Sequence, residues 1–151
     1  MDNKDKIRYL RQYRCVGEEL ERLSEEIAFW RSRAEKLGSI SHSPDDTLMK
    51  ERIRSSCEQI LRLNSELSKG AGRASEQRFI IERAIFSVSD PRERLLLRGR
   101  YIYGLTWEAL AEQMGLERRW CQRLHDRALS SLKLEEALVS SSPEELSSPQ
   151  C

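Results

Sequence analysis

Glycine and proline are scarce in this chain of 151 residues, at seven and four, and aromatic residues make up only 7 % of it. That scarcity excludes a collagen-like repeat and argues against a β-sandwich built on many Gly- or Pro-bearing turns. No apolar run approaches the roughly 18–20 residues that a membrane span needs. The first 30 residues are dense in Lys, Arg, Asp and Glu, which leaves no room for a secretory apolar segment. Cysteine and histidine are few as well. Cys15, Cys57, Cys121 and Cys151 lie far apart without a C-x-x-C pair, and only His42 and His125 accompany them. A zinc site and a disulfide framework are therefore not expected, and the cysteines read as reduced thiols of a cytoplasmic protein. There is no Gly-rich phosphate loop, and no carboxylate arrangement exceeds what helical surface charge produces. The sequence predicts no enzyme, no metal, no cofactor and no small-molecule substrate.

Charged residues reach 34 % and apolar residues 38 %, the profile of a helix-rich globular chain. The net charge of +1 hides a segregation. Residues 91–133 carry nine Lys or Arg against five Asp or Glu, whereas residues 134–151 carry four Glu and no base. A compact basic block suits a nucleic-acid surface, although a solvated helical face has the same composition.

In residues 4–37 apolar side chains recur at alternating steps of three and four: Tyr9, Tyr13, Val16, Leu20, Leu23, Ile27, Trp30, Ala34 and Leu37. This spacing predicts a coiled-coil-like helical seam that ends at Gly38 and Ser39. Ser43-Pro44-Asp45-Asp46 reads as the start of a second helix, with a side-chain cap, a first-turn proline and acids near the N-terminus. Its seam is Met49, Ile53, Ile60, Leu63 and Leu67. Two seamed helices joined by a short loop predict an antiparallel hairpin, which pairs with itself or recruits a second chain. Gly70 and Gly72 predict a kink or short break, followed by a helix ending near Val88. Residues from about Val139 onward, rich in Ser, Pro and Glu, predict a disordered tail.

The informative stretch begins at Asp90-Pro91-Arg92-Glu93, which resembles a capping box. The helix after it buries some combination of Leu95, Leu96, Leu97, Tyr101 and Ile102, and Gly104 fits a left-handed terminus. Thr106 then caps a helix from Trp107 to Met114 that stops at Gly115. A helix-turn-helix needs a positive φ at such a turn, which Gly tolerates, and a small side chain four residues earlier, here Ala111. Its remaining core positions must be apolar, and here they are Leu110, Met114, Leu116, Cys121 and Leu124. Its second helix runs from about Arg118 to Leu132 and buries Cys121, Leu124, Ala128 and Leu132. Glu117, Arg118, Arg119, Gln122, Arg123, Asp126 and Arg127 then face outward. Arg pairs bidentately with guanine and Gln with adenine in the major groove, so Arg118, Arg119, Gln122 and Arg123 are the candidate base contacts. Arg127, with Arg98 and Arg100 on the preceding helix, suits the phosphate backbone. Asp126 and the capping Thr106 complete the candidate DNA-binding set.

The stretch from Arg100 to Ala111, with Met114-Gly115 and Arg123 to Leu129, resembles the sigma-factor region-four helix-turn-helix. It is especially similar to the version in phage-encoded transcriptional regulators of the RinA/ArpU type, where a helical half precedes the DNA-binding motif. The likeness is specific over about residues 76–133 and only architectural over the hairpin. Two positions depart from the family pattern: Glu117 stands where a capping serine is usual, and Cys121 replaces a β-branched aliphatic. The resemblance implies double-stranded DNA as the ligand and adds RNA polymerase as a contact.

The remaining candidates have plainer readings. His125 lacks partners for catalysis and reads as structural or phosphate-contacting. Cys121 reads as an apolar plug rather than a redox switch. Trp120 is expected to pack at the core edge rather than lie against the DNA backbone, and Trp107 to anchor its helix against Tyr101 or Tyr103. The expected fold is all-α: an N-terminal antiparallel hairpin over 1–74 for oligomerisation or docking, a helix-turn-helix domain over 75–134, and a disordered acidic tail over 135–151. The expected function is sequence-specific transcriptional regulation by a homodimer. A DNA-packaging recognition subunit of the small-terminase kind, or an adaptor that binds protein only, would use the same parts.

Overall fold

The computed structural model describes residues 1–40 and 47–134, and every regular element among them is helical. The Ser43–Asp46 cap and the predicted disordered tail lie outside the described residues. Helix α1 spans Asn3–Ile40 and α2 spans Thr47–Phe86. They are followed by α3 (Pro91–Leu97), a π-helical stretch (Arg98–Ile102), α4 (Trp107–Met114) and α5 (Arg118–Ser131). No helix among the described residues is long and apolar enough to cross a membrane.

The α1 seam follows the sequence pattern, each of its positions from Tyr9 to Leu37 being buried or half-buried. The helix runs on past Gly38 and Ser39 to Ile40. Helix α2 corrects the expected break, because it passes through Gly70 and Gly72 without interruption. The burial pattern supplies the reason. Met49, Ile53, Ser56, Ile60, Leu63, Leu67, Gly70, Ala74, Gln77, Ile81, Ala84 and Val88 form one stripe of alternating four- and three-residue steps, buried or half-buried throughout. Gly70 belongs to that stripe. Packing on both sides of it outweighs a propensity cost of about 1 kcal/mol per glycine.

The described residues divide into two compact units, one within Glu18–Gly72 and a second formed by residues 1–17 with residues 73–134. Within the second unit a single core gathers Tyr9 and Leu10 of α1 with Ile81, Ala84, Ile85 and Val88 of α2. Leu96, Leu97, Tyr101, Leu110, Ala128, Leu129, Leu132 and Leu134 complete it. The start of α1 thus meets the end of α2, the arrangement expected of antiparallel neighbours. Lys6 donates from Nζ to the Leu129 carbonyl at 2.6 Å, and Asn3 Nδ2 donates to Ser130 Oγ at 3.3 Å. A cation on the last carbonyls of α5 satisfies an otherwise orphaned acceptor and complements the helix dipole.

Asp90 caps α3 by accepting the Arg92 N–H at 2.9 Å, and Pro91 opens the helix as expected. The reciprocal half of a capping box is not formed. Glu93 is instead buried with its Oε1 3.9 Å from Arg127 Nε on α5. After Leu97 the helix widens into its π-helical stretch, closed by Tyr103 N–H to the Arg98 carbonyl at 3.0 Å. Tyr101 turns inward here, and Leu95 is left 48 % exposed. Gly99 sits so close to Leu110 that a Cβ would lie 2.8 Å from its Cδ1. Cys57 is exposed and free, and Cys121 is buried and free.

Candidate nucleic-acid interface

The turn between α4 and α5 has the geometry that a helix-turn-helix requires. Gly115 adopts φ +66° and ψ +31°, and the N–H of Leu116 bonds back to the Ala111 carbonyl at 3.0 Å. A left-handed residue at this point is sterically cheap only for glycine. Leu110, Ala111 and Cys121 are buried at the helix crossing, and Met114, Leu116 and Leu124 are half-buried around it. All seven constrained positions therefore occupy the places the motif assigns them. Burial raises the Cys121 thiol pKa, as suits a protonated apolar plug.

One side of α5 is core and the other is solvent. Cys121, His125, Ala128, Leu129 and Leu132 are buried, while Arg118, Arg119, Gln122, Arg123, Asp126 and Arg127 are all exposed. The structure thus brings the six α5 residues of the candidate set onto one exposed side. Their electrostatic situations differ. Arg118 Nη1 bonds Glu108 Oε1 at 2.8 Å, and Arg127 faces Glu93. Arg119 and Gln122 form no bond or ion pair with a described residue, and the Arg123 guanidinium lies 4.8 Å from the centroid of the Trp120 ring. Trp120 is 49 % exposed, which corrects the expectation that it packs at the core edge. Its ring is occupied by Arg123 instead, holding that guanidinium on the outward face by a cation–π contact.

The candidates outside α5 serve the fold directly. Thr106 Oγ1 accepts the Ala109 N–H at 3.1 Å and caps α4. Arg100 donates to the Leu105 carbonyl at 2.9 Å and lies 4.7 Å over the Trp107 ring. Arg98 reaches Tyr103 Oη at 3.4 Å and Glu82 Oε1 at 3.5 Å, and the Tyr103 hydroxyl raises its already high pKa. Gly104, at φ +70°, lies under the Arg14 guanidinium, and its left-handed backbone, rather than that movable side chain, is what favours glycine here.

Trp107 packs on the core that holds Tyr101. It meets His125 edge-on, with centroids 5.0 Å apart, and His125 Nε2 pairs with the Tyr101 hydroxyl at 2.7 Å. Burial brings the His125 pKa down to about 4; Asp126 opposes the shift, and Arg100 and Arg11 add to it. The imidazole is therefore neutral at pH 7 and acts as a core member. Among the described residues no group of His, Cys, Asp and Glu is placed to hold a metal ion.

These features converge on one known module. Residues 90–134 match the family Sigma-70, region 4. That family is a DNA-binding domain of helix-turn-helix type, and the region 4 segment here comprises α3, the π-helical stretch, α4 and α5. No curated protein and no solved structure matches the chain.

Within the region 4 segment, Glu117 stands at the N-cap of α5 and makes no side-chain capping bond. Serine accepts such a bond readily, so Glu117→Ser should stabilise the protein by up to about 1 kcal/mol. Chemical denaturation of the two proteins side by side checks this, and an unchanged or lower stability would count against it.

Proposed function

We propose that this protein is a sequence-specific transcriptional regulator that lays α5 along the major groove of double-stranded DNA. The observation that carries the reading is the two-sided α5: buried apolar residues on one side of the Gly115 corner, and exposed Arg119, Gln122, Arg123 and Arg127 on the other. Arg118, Arg119, Gln122 and Arg123 read base edges, with Arg118 exchanging Glu108 for its target. Asp126, on the same side, limits how closely phosphates approach that part of the helix. Arg127 meets phosphate, and Thr106 presents the start of α4 to the backbone. Arg98 and Arg100 remain bonded within the fold and contribute fixed positive charge beside it.

The hairpin supplies the dimer contact in this reading, and the chain is a phage-type regulator of the RinA/ArpU kind. A helical half ahead of the motif supports that placement, and the region 4 match supports RNA polymerase as a second partner. A two-fold dimer calls for two half-sites about one helical turn of DNA apart, or a multiple of it.

Binding-site selection from random duplex with the purified full chain tests the reading. It should return a site with a guanine whose preference relaxes in Arg123→Ala, at a cost of about 1–3 kcal/mol on the selected site. Selection of no common sequence, or an Arg123→Ala protein that folds and selects the same site equally tightly, would overturn it.

A further inference from the structure

The last two turns of α2 carry a stripe that the core does not use. Ile81, Ala84, Ile85 and Val88 are buried there, yet Phe79 and Phe86 are 66 % and 85 % exposed. With Glu82 and Arg83 between them, these residues fall at i, i+3, i+4 and i+7, the spacing of a helix contact face. A cleft of about 400 Å³ follows the stripe, lined also by Ile85 and by Arg94 and Arg98. Exposed phenylalanines beside a cleft are the kind of apolar surface that marks an interaction site.

The charge of the cleft is one-sided. Glu82 is its one carboxylate among the described lining residues, and it already faces Arg78 at 3.3 Å and Arg98 at 3.5 Å. Arg94 donates to the carbonyls of Val88 and Ser89, at 2.5 and 3.1 Å, which are neutral acceptors that leave its charge uncompensated. Arg83 pairs with no described carboxylate. The cleft is thus apolar at its two ends and positive between them.

We propose that this cleft docks an acidic amphipathic helix of another protein, with two large apolar side chains one heptad apart and carboxylates between them. The apolar pair covers Phe79 and Phe86, and the carboxylates meet Arg83 and Arg94. A helix fits because the stripe it meets has helical spacing. A second copy of this chain fits poorly, since it would set the same surplus of arginine against itself. None of the lining residues is on α5, and Arg98, the one member of the candidate DNA-binding set among them, is bonded within the fold to Glu82 and Tyr103.

The test titrates the full chain against a fluorescein-labelled 16-residue helical peptide carrying Leu one heptad apart and Glu between, and against its Lys counterpart. The Glu peptide should bind about tenfold or more tightly than the Lys peptide, with a similar loss in Phe86→Ala and in Arg83→Glu. Both substitutions are at accessible positions, and unchanged thermal melting and DNA binding would show that the variants remain folded. Equal binding of the two peptides, or indifference to both substitutions, overturns the proposal. So does a dimer that Phe86→Ala dissociates, which assigns the cleft to a second copy. Peptide binding that appears only when residues 135–151 are removed assigns it to the chain's own acidic segment, and likewise overturns it.

Discussion

Leu129→Ala should destabilise the protein by about 2–5 kcal/mol, a large part of the roughly 5–15 kcal/mol that holds a domain of this kind folded. Leu129 is fully buried in the core that also holds Leu10 of α1, Ile81 of α2 and Leu96 of α3. Truncation removes its transfer free energy and leaves a cavity that rigid neighbours cannot fill. The nearby Leu95→Ala, at a half-exposed position, should stay within about 0.5 kcal/mol of the parent protein. Urea denaturation of the three proteins separates these outcomes. A Leu129→Ala cost below about 1 kcal/mol would show that Leu129 is not held in a close-packed core.

The second large effect is a dependence on pH. His125 titrates near 4 in the folded protein and near 6.5 when unfolded. Between those values the unfolded chain binds more protons, so stability falls as the pH drops. The contribution is complete above about pH 6.5 and is lost as the pH falls through about 4, and about 2–3 kcal/mol of it goes between pH 7 and pH 4. His125→Gln keeps a polar partner for the Tyr101 hydroxyl and removes the titration. Carboxylates titrate alike in both proteins and cancel in the difference. The parent should therefore lose more stability than the variant between pH 7 and pH 4, measured by denaturant unfolding. Parallel curves would contradict a buried neutral imidazole.

Much of this arrangement is legible in the sequence, for a physical reason. Thr106, Ala111 and Gly115 obey local rules: a cap, a close crossing and a positive φ each restrict the residue type within a few positions. The α1 seam follows from periodicity alone. What the sequence hides is set by distant neighbours. Lys6 and Leu10 look like members of a charged first helix, yet the core of the region 4 segment draws them in. Gly70 reads as a breaker until the buried stripe on either side of it is known.

The site divides along the same line. The outward set on α5 follows from helical geometry once its buried side is known. The fates of Arg100, Trp107 and Trp120 depend on which aromatic or carbonyl lies within reach after folding. Arg100 over Trp107 and Arg123 over Trp120 are contacts that one-dimensional spacing does not select. Glu93 misses its capping bond for the same kind of reason, since burial beside Arg127 replaces it.

The most direct test of α5 as a DNA-reading helix is fluorescence anisotropy of a labelled duplex across a series of salt concentrations. The parent protein should bind with log affinity falling linearly in log salt, by close to one unit of slope per phosphate contacted. Arg119→Ala with Arg123→Ala should weaken that binding by at least about tenfold while leaving the melting temperature unchanged. Affinity indifferent to salt, or a folded double variant that binds as tightly as the parent, would contradict the account.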